Sequence, residues 1–206
     1  MKKVFIVGVA GGSGSGKTRF VKNILKEVEN SQVQSIEVDA YYKDLSDITF
    51  EERAKNNFDH PNAIDFNLLY NDLKKIINCK PVYTPVYNYK THTRETNKTI
   101  KINNVKVIIL EGILALYNTD IRELMDMKIF VDTPSDVRLL RRIKRDINKR
   151  ARTIESIIKQ YNDTVKPMFL KFVKPTRDYA DLIIPYGGKN KTSIDAVVTN
   201  IKKYYI

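Results

Sequence analysis

The sequence predicts an α/β fold in which a five-stranded parallel sheet is flanked by helices. Short runs rich in β-branched residues alternate with longer segments of helical periodicity, and this alternation is typical of a parallel sheet with helices on both faces. Residues 107–110 are apolar without interruption, which indicates a central strand buried on both faces. The predicted strands are 4–10, 34–38, 105–110, 128–131 and 182–184.

Helices are predicted between these strands. The first is expected from about Lys17 to Glu29, directly after the first strand and a glycine-rich turn. Pro134 followed by Ser135 is a helix-start signal. The other helices are expected at 49–55, 67–77, 121–125, 135–148, 153–161 and 193–204, with a further segment leading into 168–172.

One stretch departs from the strand–helix rhythm. Residues 81–87 and 98–102 alternate like the strands of a hairpin, with the polar, aromatic segment 88–97 as its tip. An insertion that projects from the carboxyl ends of the strands is a candidate substrate-binding flap. The 206 residues suffice for one buried core and are few for two, so we expect a single domain over 1–206.

The turn after the first strand contains the most informative motif. Residues 11–18 read Gly-Gly-Ser-Gly-Ser-Gly-Lys-Thr and match G-x-x-x-x-G-K-S/T at every fixed position. The glycines let backbone N–H groups surround phosphate, Lys17 reaches the β- and γ-phosphates, and the Thr18 hydroxyl ligates Mg²⁺. The predicted nucleotide-binding residues are Gly11, Gly12, Ser13, Gly14, Ser15, Gly16, Lys17 and Thr18.

The order of strand, loop and helix disfavours the alternative that this is only a flexible connection. It predicts the P-loop NTPase fold and a bound nucleoside triphosphate, whose phosphates also face the positive end of the following helix.

Composition limits the function less than the motif does. The net charge of +12 and the pI of about 9.6 suit either nucleic acid or a polyanionic small molecule. The single cysteine, Cys79, cannot form an internal disulfide, which favours a reducing cytoplasm. No apolar run reaches about eighteen residues, so we expect no membrane span.

Acidic residues follow three of the predicted strands. Asp39, Glu111 and Asp132 come where strands end, at the edge where ligands bind in open parallel sheets. Transfer to a hydroxyl requires one carboxylate near the hydroxyl proton and another near Mg²⁺. We assign these roles to Asp39 and Glu111, with helix capping as the alternative for each. Asp132 precedes Thr-Pro-Ser and fits capping better.

Residues 138–152 form an arginine-rich amphipathic pattern. Leu139, Ile143 and Ile147 lie on one helical stripe, whereas Arg138, Arg142 and Arg145 lie on another. Such a face is commonly solvated or binds a polyanion. Beside a phosphate loop, a third interpretation is an arginine lid that closes over the triphosphate during transfer. Arg150 and Arg152, beyond the predicted helix end, are suited to move with that lid.

The predicted flap contains Tyr87, Tyr89 and His92. These side chains are able to stack on a base and hydrogen-bond it, although ordinary packing explains them equally well. Residues 58–61, Phe-Asp-His-Pro, also read as a rigid turn because proline restricts the residue before it.

Eight segments together resemble the uridine kinase (uridine–cytidine kinase) family of P-loop kinases. The resemblance covers nearly the whole chain in the right order, and the flap and the Asp-His-Pro motif are more specific than the loop. The segments are 11–18, 39–44, 57–61, 85–94, 110–114, 141–146, 174–176 and 179–185.

This resemblance implies transfer of the γ-phosphate of ATP or GTP to the 5′-hydroxyl of uridine or cytidine, in pyrimidine salvage. It implies a homotetramer, and neither nucleic acid nor membrane as partner. It implies roles for the following residues: Asp39 as catalytic carboxylate, Asp59 and Arg142 for ribose, Tyr87, Tyr89 and His92 for the base, Tyr42 and Gln160 around the pocket, Lys17, Arg145, Arg150 and Arg152 for phosphoryl transfer, and Thr18 and Glu111 for Mg²⁺.

The sequence departs from the family pattern at three positions. Ala40 replaces a common serine, Asn88 a common aspartate and Ala151 a common glycine. None removes a proposed catalytic group. Alanine at 151 stiffens the predicted lid hinge, since alanine adopts fewer conformations than glycine.

Other classes fit the sequence less well. A GTPase needs an N-K-x-D reader, and Asn97-Lys98 is followed by Thr-Ile. A dinucleotide-binding oxidoreductase needs G-x-G-x-x-G, which the loop lacks. A nucleic-acid-binding module remains open from charge alone. The alternative within enzymes is a related P-loop kinase acting on another alcohol, phosphoribulokinase-like or pantothenate kinase-like.

Overall fold

The computed structural model describes residues 4–150 and 152–205, without the side chains at 149 and 150. Five strands form one parallel sheet in the order β2-β5-β1-β6-β7, and two more form an antiparallel pair. The predicted five-stranded parallel sheet is confirmed. The strands are Phe5–Ala10 (β1), Val33–Glu37 (β2), Val82–Asn88 (β3), Thr93–Ile102 (β4), Val107–Glu111 (β5), Met127–Asp132 (β6) and Leu182–Pro185 (β7).

The helices follow the predicted pattern with small shifts at their ends. They are Lys17–Val28 (α1), Phe50–Ala54 (α2), Phe66–Ile77 (α3), Thr119–Glu123 (α4), Ser135–Arg150 (α5), Ile154–Gln160 (α6), Lys166–Met168 (α7) and Lys191–Lys202 (α8). Two π-helical turns, Tyr161–Val165 and Phe169–Val173, and the 3₁₀ turn Lys174–Tyr179 continue the path of α6 and α7. Within the described ranges, no helix combines the length and apolarity needed to cross a bilayer.

The sheet is covered on both faces. On one face, Leu69, Leu73 and Ile76 of α3 belong to a core cluster with alternate residues of β1 and β5. On the other, the core contains residues of α1 and α8 such as Phe20 and Val197. Every residue of β5 is buried, as the apolar run predicts, although the middle position belongs to β1 and β5 lies beside it.

The inserted hairpin is present, and its turn is shorter than predicted. β3 and β4 pair antiparallel, with Tyr87 opposite Arg94 and Asn88 opposite Thr93. The tip is therefore 89–92 rather than 88–97, because residues 93–97 continue strand β4. The Arg94 Nε donates to the Tyr42 carbonyl oxygen at 2.8 Å, which attaches the hairpin to the segment after β2.

Helix α5 turns its charged face inward. Arg138 and Arg142 are each 5% exposed and Asp146 is fully buried, whereas Leu140 is 67% and Ile147 44% exposed. The interpretation of a solvated arginine face is wrong. The reason is tertiary, because this face lies against the phosphate loop: the Ser13 hydroxyl accepts from Arg142, and the Arg138 guanidinium lies beside Gly12.

The end of α5 also differs from expectation. The helix extends to Arg150, which was predicted to lie beyond it, and the side chain of Arg150 lies outside the described residues. Ala151, noted as a departure in the lid, is also outside the described residues.

The exposure of α5 gives a stability prediction. Leu73→Ala, in the core at 0% exposure, should lower the free energy of unfolding by about 2–5 kcal/mol through the cavity it leaves. Leu140→Ala should lower it by less than about 1 kcal/mol because that side chain is already solvated. Urea unfolding at constant m-value measures both. A large loss for Leu140→Ala would contradict the inward orientation of the arginines.

Candidate active site

The phosphate loop connects β1 to α1 at the carboxyl edge of the sheet. Gly14 has φ of 80°, and a Cβ there would lie 2.4 Å from the backbone oxygen of Arg138. No other residue type fits this approach without displacing α5. The loop also folds on itself, since the Ser15 N–H donates to the Gly12 carbonyl at 3.0 Å. Its glycines are therefore required by tertiary packing as well as by phosphate chemistry.

The loop brings a buried ammonium beside two carboxylates. Lys17 is 8% exposed, and its Nζ donates to the Gly12 carbonyl at 3.3 Å. Burial lowers the pKa of Lys17, and the charges of Glu111 and Asp39 oppose that shift. Burial raises the pKa of Glu111, which Lys17 and a hydrogen bond with Thr18 oppose. The strand-end residues thus lie around the loop.

Asp39 and Asp59 form the acidic side of the site. Asp39 lies in the 3₁₀ turn Val38–Tyr41 that follows β2, and its Oδ2 accepts from the Tyr89 hydroxyl at 3.5 Å. Burial raises the pKa of Asp59, Arg142 opposes the shift and Asp39 adds to it. The two carboxylates are therefore close enough to interact, although they are twenty residues apart in sequence.

Aromatic rings from three segments lie together beside these carboxylates. The Phe58 and His92 rings stack at 4.9 Å and 16°. Tyr87 lies between Tyr42 and Tyr89, with centroid distances of 5.0 and 5.3 Å. Burial raises the pKa of Tyr42, and the negative charges of Asp39 and Asp59 raise it further. Tyr42 thus joins the aromatic rings to the acidic side.

Sequence reasoning assigned no binding role to Phe58. Residues 58–61 were interpreted as a turn, and Pro61 does begin a short 3₁₀ turn. However, the Phe58 ring also contacts His92 at the hairpin tip. Sequence periodicity does not reveal this contact. The available signal was an aromatic residue directly before a candidate binding carboxylate.

The opposite side of the site consists of arginines. Arg142 donates from Nη1 to the Ser13 hydroxyl at 2.9 Å and from Nη2 to Gln160 Oε1 at 2.8 Å. Arg152 donates to the same Gln160 oxygen and to the Ser156 hydroxyl. Gln160, expected near the pocket, therefore bridges α5 and the segment after it. These contacts bring Arg142 and Arg152 together on one side of the loop.

Asp132 ends β6, and its charge raises the pKa of Arg138 against the larger effect of burial. The sequence favours a capping role for this residue. In the structure its Oδ2 accepts a hydrogen bond from the Arg177 Nε at 3.1 Å. Among the described side chains, no set of three His, Cys, Asp or Glu residues forms a metal site by itself. Thr18 and Glu111, which share a hydrogen bond, carry oxygen atoms of the kind that Mg²⁺ prefers when it also binds phosphates.

A phosphate loop on the central strand, carboxylates at neighbouring strand ends and arginines facing the loop together define a P-loop kinase. The chain belongs to the phosphoribulokinase / uridine kinase family, whose model matches residues 6–193.

Relatives resemble the chain over nearly its full length. A uridine kinase from Macrococcus caseolyticus is 52% identical over 202 residues, 98% of each chain. One from Halalkalibacterium halodurans is 50% identical over 201 residues, 98% of this chain and 95% of the relative.

Solved structures show the same fold at low identity. A putative fructose transport system kinase from a Silicibacter species has a TM-score of 0.73 and 16% identity, with 90% and 91% of the two chains covered. A possible uridine kinase from Bacillus stearothermophilus has a TM-score of 0.63 and 15% identity, with coverage of 89% and 90%.

The raised pKa of Asp59 leads to a pH-dependent prediction. Because burial favours its neutral form, ionising Asp59 costs the unliganded protein folding free energy at neutral pH. Asp59→Asn should therefore raise Tm near neutral pH. The gain should vanish at pH below the ordinary aspartate pKa range, where both states are protonated.

Scanning calorimetry from acidic to neutral pH tests this prediction. The control is Asp163→Asn, whose half-exposed carboxylate pairs with Lys159 at 2.8 Å and should give no increase. A lower Tm for Asp59→Asn near neutral pH would mean that the attraction of Arg142 exceeds the cost of burial.

Proposed function

We propose that this chain transfers the γ-phosphate of ATP or GTP to the 5′-hydroxyl of uridine or cytidine. The observation that supports it most is the aromatic cluster around His92 beside Asp39 and Asp59, opposite the phosphate loop. Such a site offers stacking for a base, acceptors for ribose hydroxyls and a carboxylate for the reacting hydroxyl. The uridine kinases that resemble the chain along its length favour the same acceptor.

The donor phosphates bind in the loop at the N-terminus of α1, where backbone N–H groups and Lys17 supply positive charge. Thr18 and Glu111 hold Mg²⁺, which neutralises phosphate charge when bound. Arg145, Arg150 and Arg152 form the lid that stabilises the charge of the transferred group. The residues assigned to the donor all contact phosphate groups. They therefore do not distinguish the base of ATP from that of GTP.

The nucleoside lies on the other side of Asp39. Phe58 and Tyr87 contact the base, and His92 hydrogen-bonds its edge, with Tyr89 beside them. Asp59 accepts from a ribose hydroxyl and Arg142 donates to the ribose, while Tyr42 lines the pocket and Gln160 holds Arg142.

Asp39 accepts the 5′-hydroxyl proton as the 5′-oxygen attacks the γ-phosphorus. A bond forms between that oxygen and phosphorus, and the bond to the oxygen bridging the β- and γ-phosphates breaks. Lys17 stabilises the negative charge that develops on the leaving diphosphate. The products are UMP or CMP and the nucleoside diphosphate.

We propose a cytoplasmic location and a homotetramer for this enzyme. The exposed thiol of Cys79 fits a reducing compartment. The tetramer comes from the family resemblance alone, and sedimentation equilibrium measures it directly.

A nucleoside diphosphate release assay tests the function. Purified protein with ATP and Mg²⁺ is offered uridine, cytidine, adenosine, ribulose phosphate or pantothenate. We expect turnover with uridine and cytidine only. Turnover with another alcohol alone would retain the loop and Asp39 but refute the base pocket, and RNA binding without any turnover would refute the kinase.

Removal of the proposed base should separate chemistry from binding. Asp39→Asn should lower kcat by roughly 100- to 10,000-fold, since a positioned general base contributes that factor. ATP affinity, measured by titration calorimetry, should stay within about threefold. The control is Asp44→Asn, a nearby exposed carboxylate that accepts from Ser46. Near-normal turnover of Asp39→Asn would place the base elsewhere.

The hairpin should act on the nucleoside and not on the donor. His92→Ala should raise KM for uridine by roughly 5- to 100-fold, the range for losing a hydrogen bond and its stacked ring. KM for ATP should change little. The matched control is Tyr83→Ala in the same hairpin, where the ring is 60% exposed. Equal effects of the two substitutions would mean that the hairpin contributes only stability.

A further inference from the structure

We propose that Asp146 is a positioning residue for phosphoryl transfer, because one buried carboxylate holds both Arg142 and Arg145 in their orientations toward the loop and the acceptor side. The proposal rests on the proposed function and extends it to a residue with no direct part in the chemistry.

The burial of Asp146 is unusual for a charged residue. Its side chain is 0% exposed, within a helix that leaves Leu140 and Ile147 in solvent. An ionised carboxylate is costly to bury unless it is paired and hydrogen-bonded. A helix selected only for stability would bury Leu140 or Ile147 in place of these charges. The contacts of Asp146 therefore offset part of the cost of burying the charged face of α5.

Two of those contacts are with arginines on the same helix. Asp146 Oδ1 accepts from the Arg145 Nε at 2.8 Å, and its Oδ2 lies 3.4 Å from the Arg142 Nε. Each contact uses the nitrogen nearest the aliphatic stem. The guanidinium is planar, so fixing Nε fixes the directions of the two terminal nitrogens. Asp146 thus fixes the Arg145 guanidinium by a hydrogen bond and attracts that of Arg142 by its charge, while bonds to Ser13 and Gln160 complete the direction of Arg142.

The terminal nitrogens of Arg142 point at functional groups. Nη1 donates to the Ser13 hydroxyl in the phosphate loop, and Nη2 donates to Gln160. Arg142 also lowers the pKa of Asp59 against the larger effect of burial, which places its charge near the acceptor side. Asp146 is therefore connected through Arg142 to the phosphate loop and to the groups proposed to bind ribose.

Arg145 extends the same connection to the donor side. Its charge lowers the pKa of Asp59 against the larger effect of burial, and it lowers the pKa of Lys17 in the same direction as burial, which is the larger cause. Lys17 and Asp59 belong to the donor and acceptor sides of the site. One carboxylate consequently aligns two charges that reach both substrates, and their alignment matters most when the γ-phosphate lies between them.

A structural role alone would look different. Asp72 is a similar buried carboxylate in α3, with a side chain 6% exposed. It accepts from the Tyr41 hydroxyl at 3.1 Å and pairs with Lys75 at 3.3 Å, and neither partner has a proposed role in the reaction. Asp72→Asn therefore controls for loss of a buried charge as such.

The experiment compares Asp146→Asn, Asp146→Glu and Asp72→Asn in the full chain. Asp146→Asn keeps the shape but removes the charge. We expect kcat to fall roughly 30-fold or more and KM for uridine to rise, as for a broken buried charge pair. Asp146→Glu should recover most of kcat. Asp72→Asn should keep kcat within about threefold even where its Tm falls equally.

A double-mutant cycle shows whether Asp146 acts through its partner. Asp146→Asn, Arg145→Gln and the double variant are compared for kcat, with Tm recorded for each. If Asp146 acts by orienting Arg145 and Arg142, the double variant should lose much less than the product of the single losses. Multiplicative losses, or a kcat for Asp146→Asn within threefold of the parent, would overturn the proposal. If Asp146→Asn does not fold, Asp146→Ser, which also removes the charge, replaces it under the same criterion.

The proposed function can fail separately. If the parent phosphorylates a different alcohol of the panel, the cycle is run with that acceptor and the same criterion applies. If the parent uses none, the cycle is run on ATP affinity, where Arg145 contributes on the loop side. Multiplicative losses of affinity would then overturn the positioning role.

Discussion

The packing of helix α5 on the phosphate loop is the contact on which the rest of the site depends. At Gly14 the loop and the helix meet backbone to backbone, since a single added carbon would lie 2.4 Å from the Arg138 oxygen. This approach places consecutive turns of α5 over the loop. It brings Arg138 to Gly12 and Arg142 to Ser13. A bulkier loop would move the whole arginine face away from the phosphates.

That geometry is obtained at a cost in folding free energy. Burial lowers the pKa of Lys17 and Arg138 and raises that of Asp59 and Glu111, so each of these groups would be easier to ionise in water. Asp146 offsets part of the cost for α5. This arrangement lowers the stability of the fold but orients the charges of the site before a polyphosphate binds. Charges that are preorganised in this way contribute strongly to catalysis.

The acceptor side is assembled from distant segments. Arg94 joins β4 to the Tyr42 carbonyl, and Arg53 donates to the Thr91 carbonyl at 3.0 Å. The hairpin is thereby attached near Asp39 by hydrogen bonds on two sides. Its tip then presents His92 to Phe58. The nucleoside pocket we propose is thus a tertiary product, whereas the phosphate loop is continuous in sequence.

The sequence by itself determined the sheet, the phosphate loop and the carboxylates after the strands, because apolar strands and contiguous loops depend on neighbours a few residues apart. Only the tertiary structure decided which face of α5 is buried, the contact of Phe58 with the hairpin tip, and the bridging role of Gln160. Periodicity locates the arginine stripe of α5 but does not show what packs against it. Here a loop more than 120 residues away supplies acceptors for the arginines, and pairing with those acceptors outweighs the burial of two aliphatic side chains.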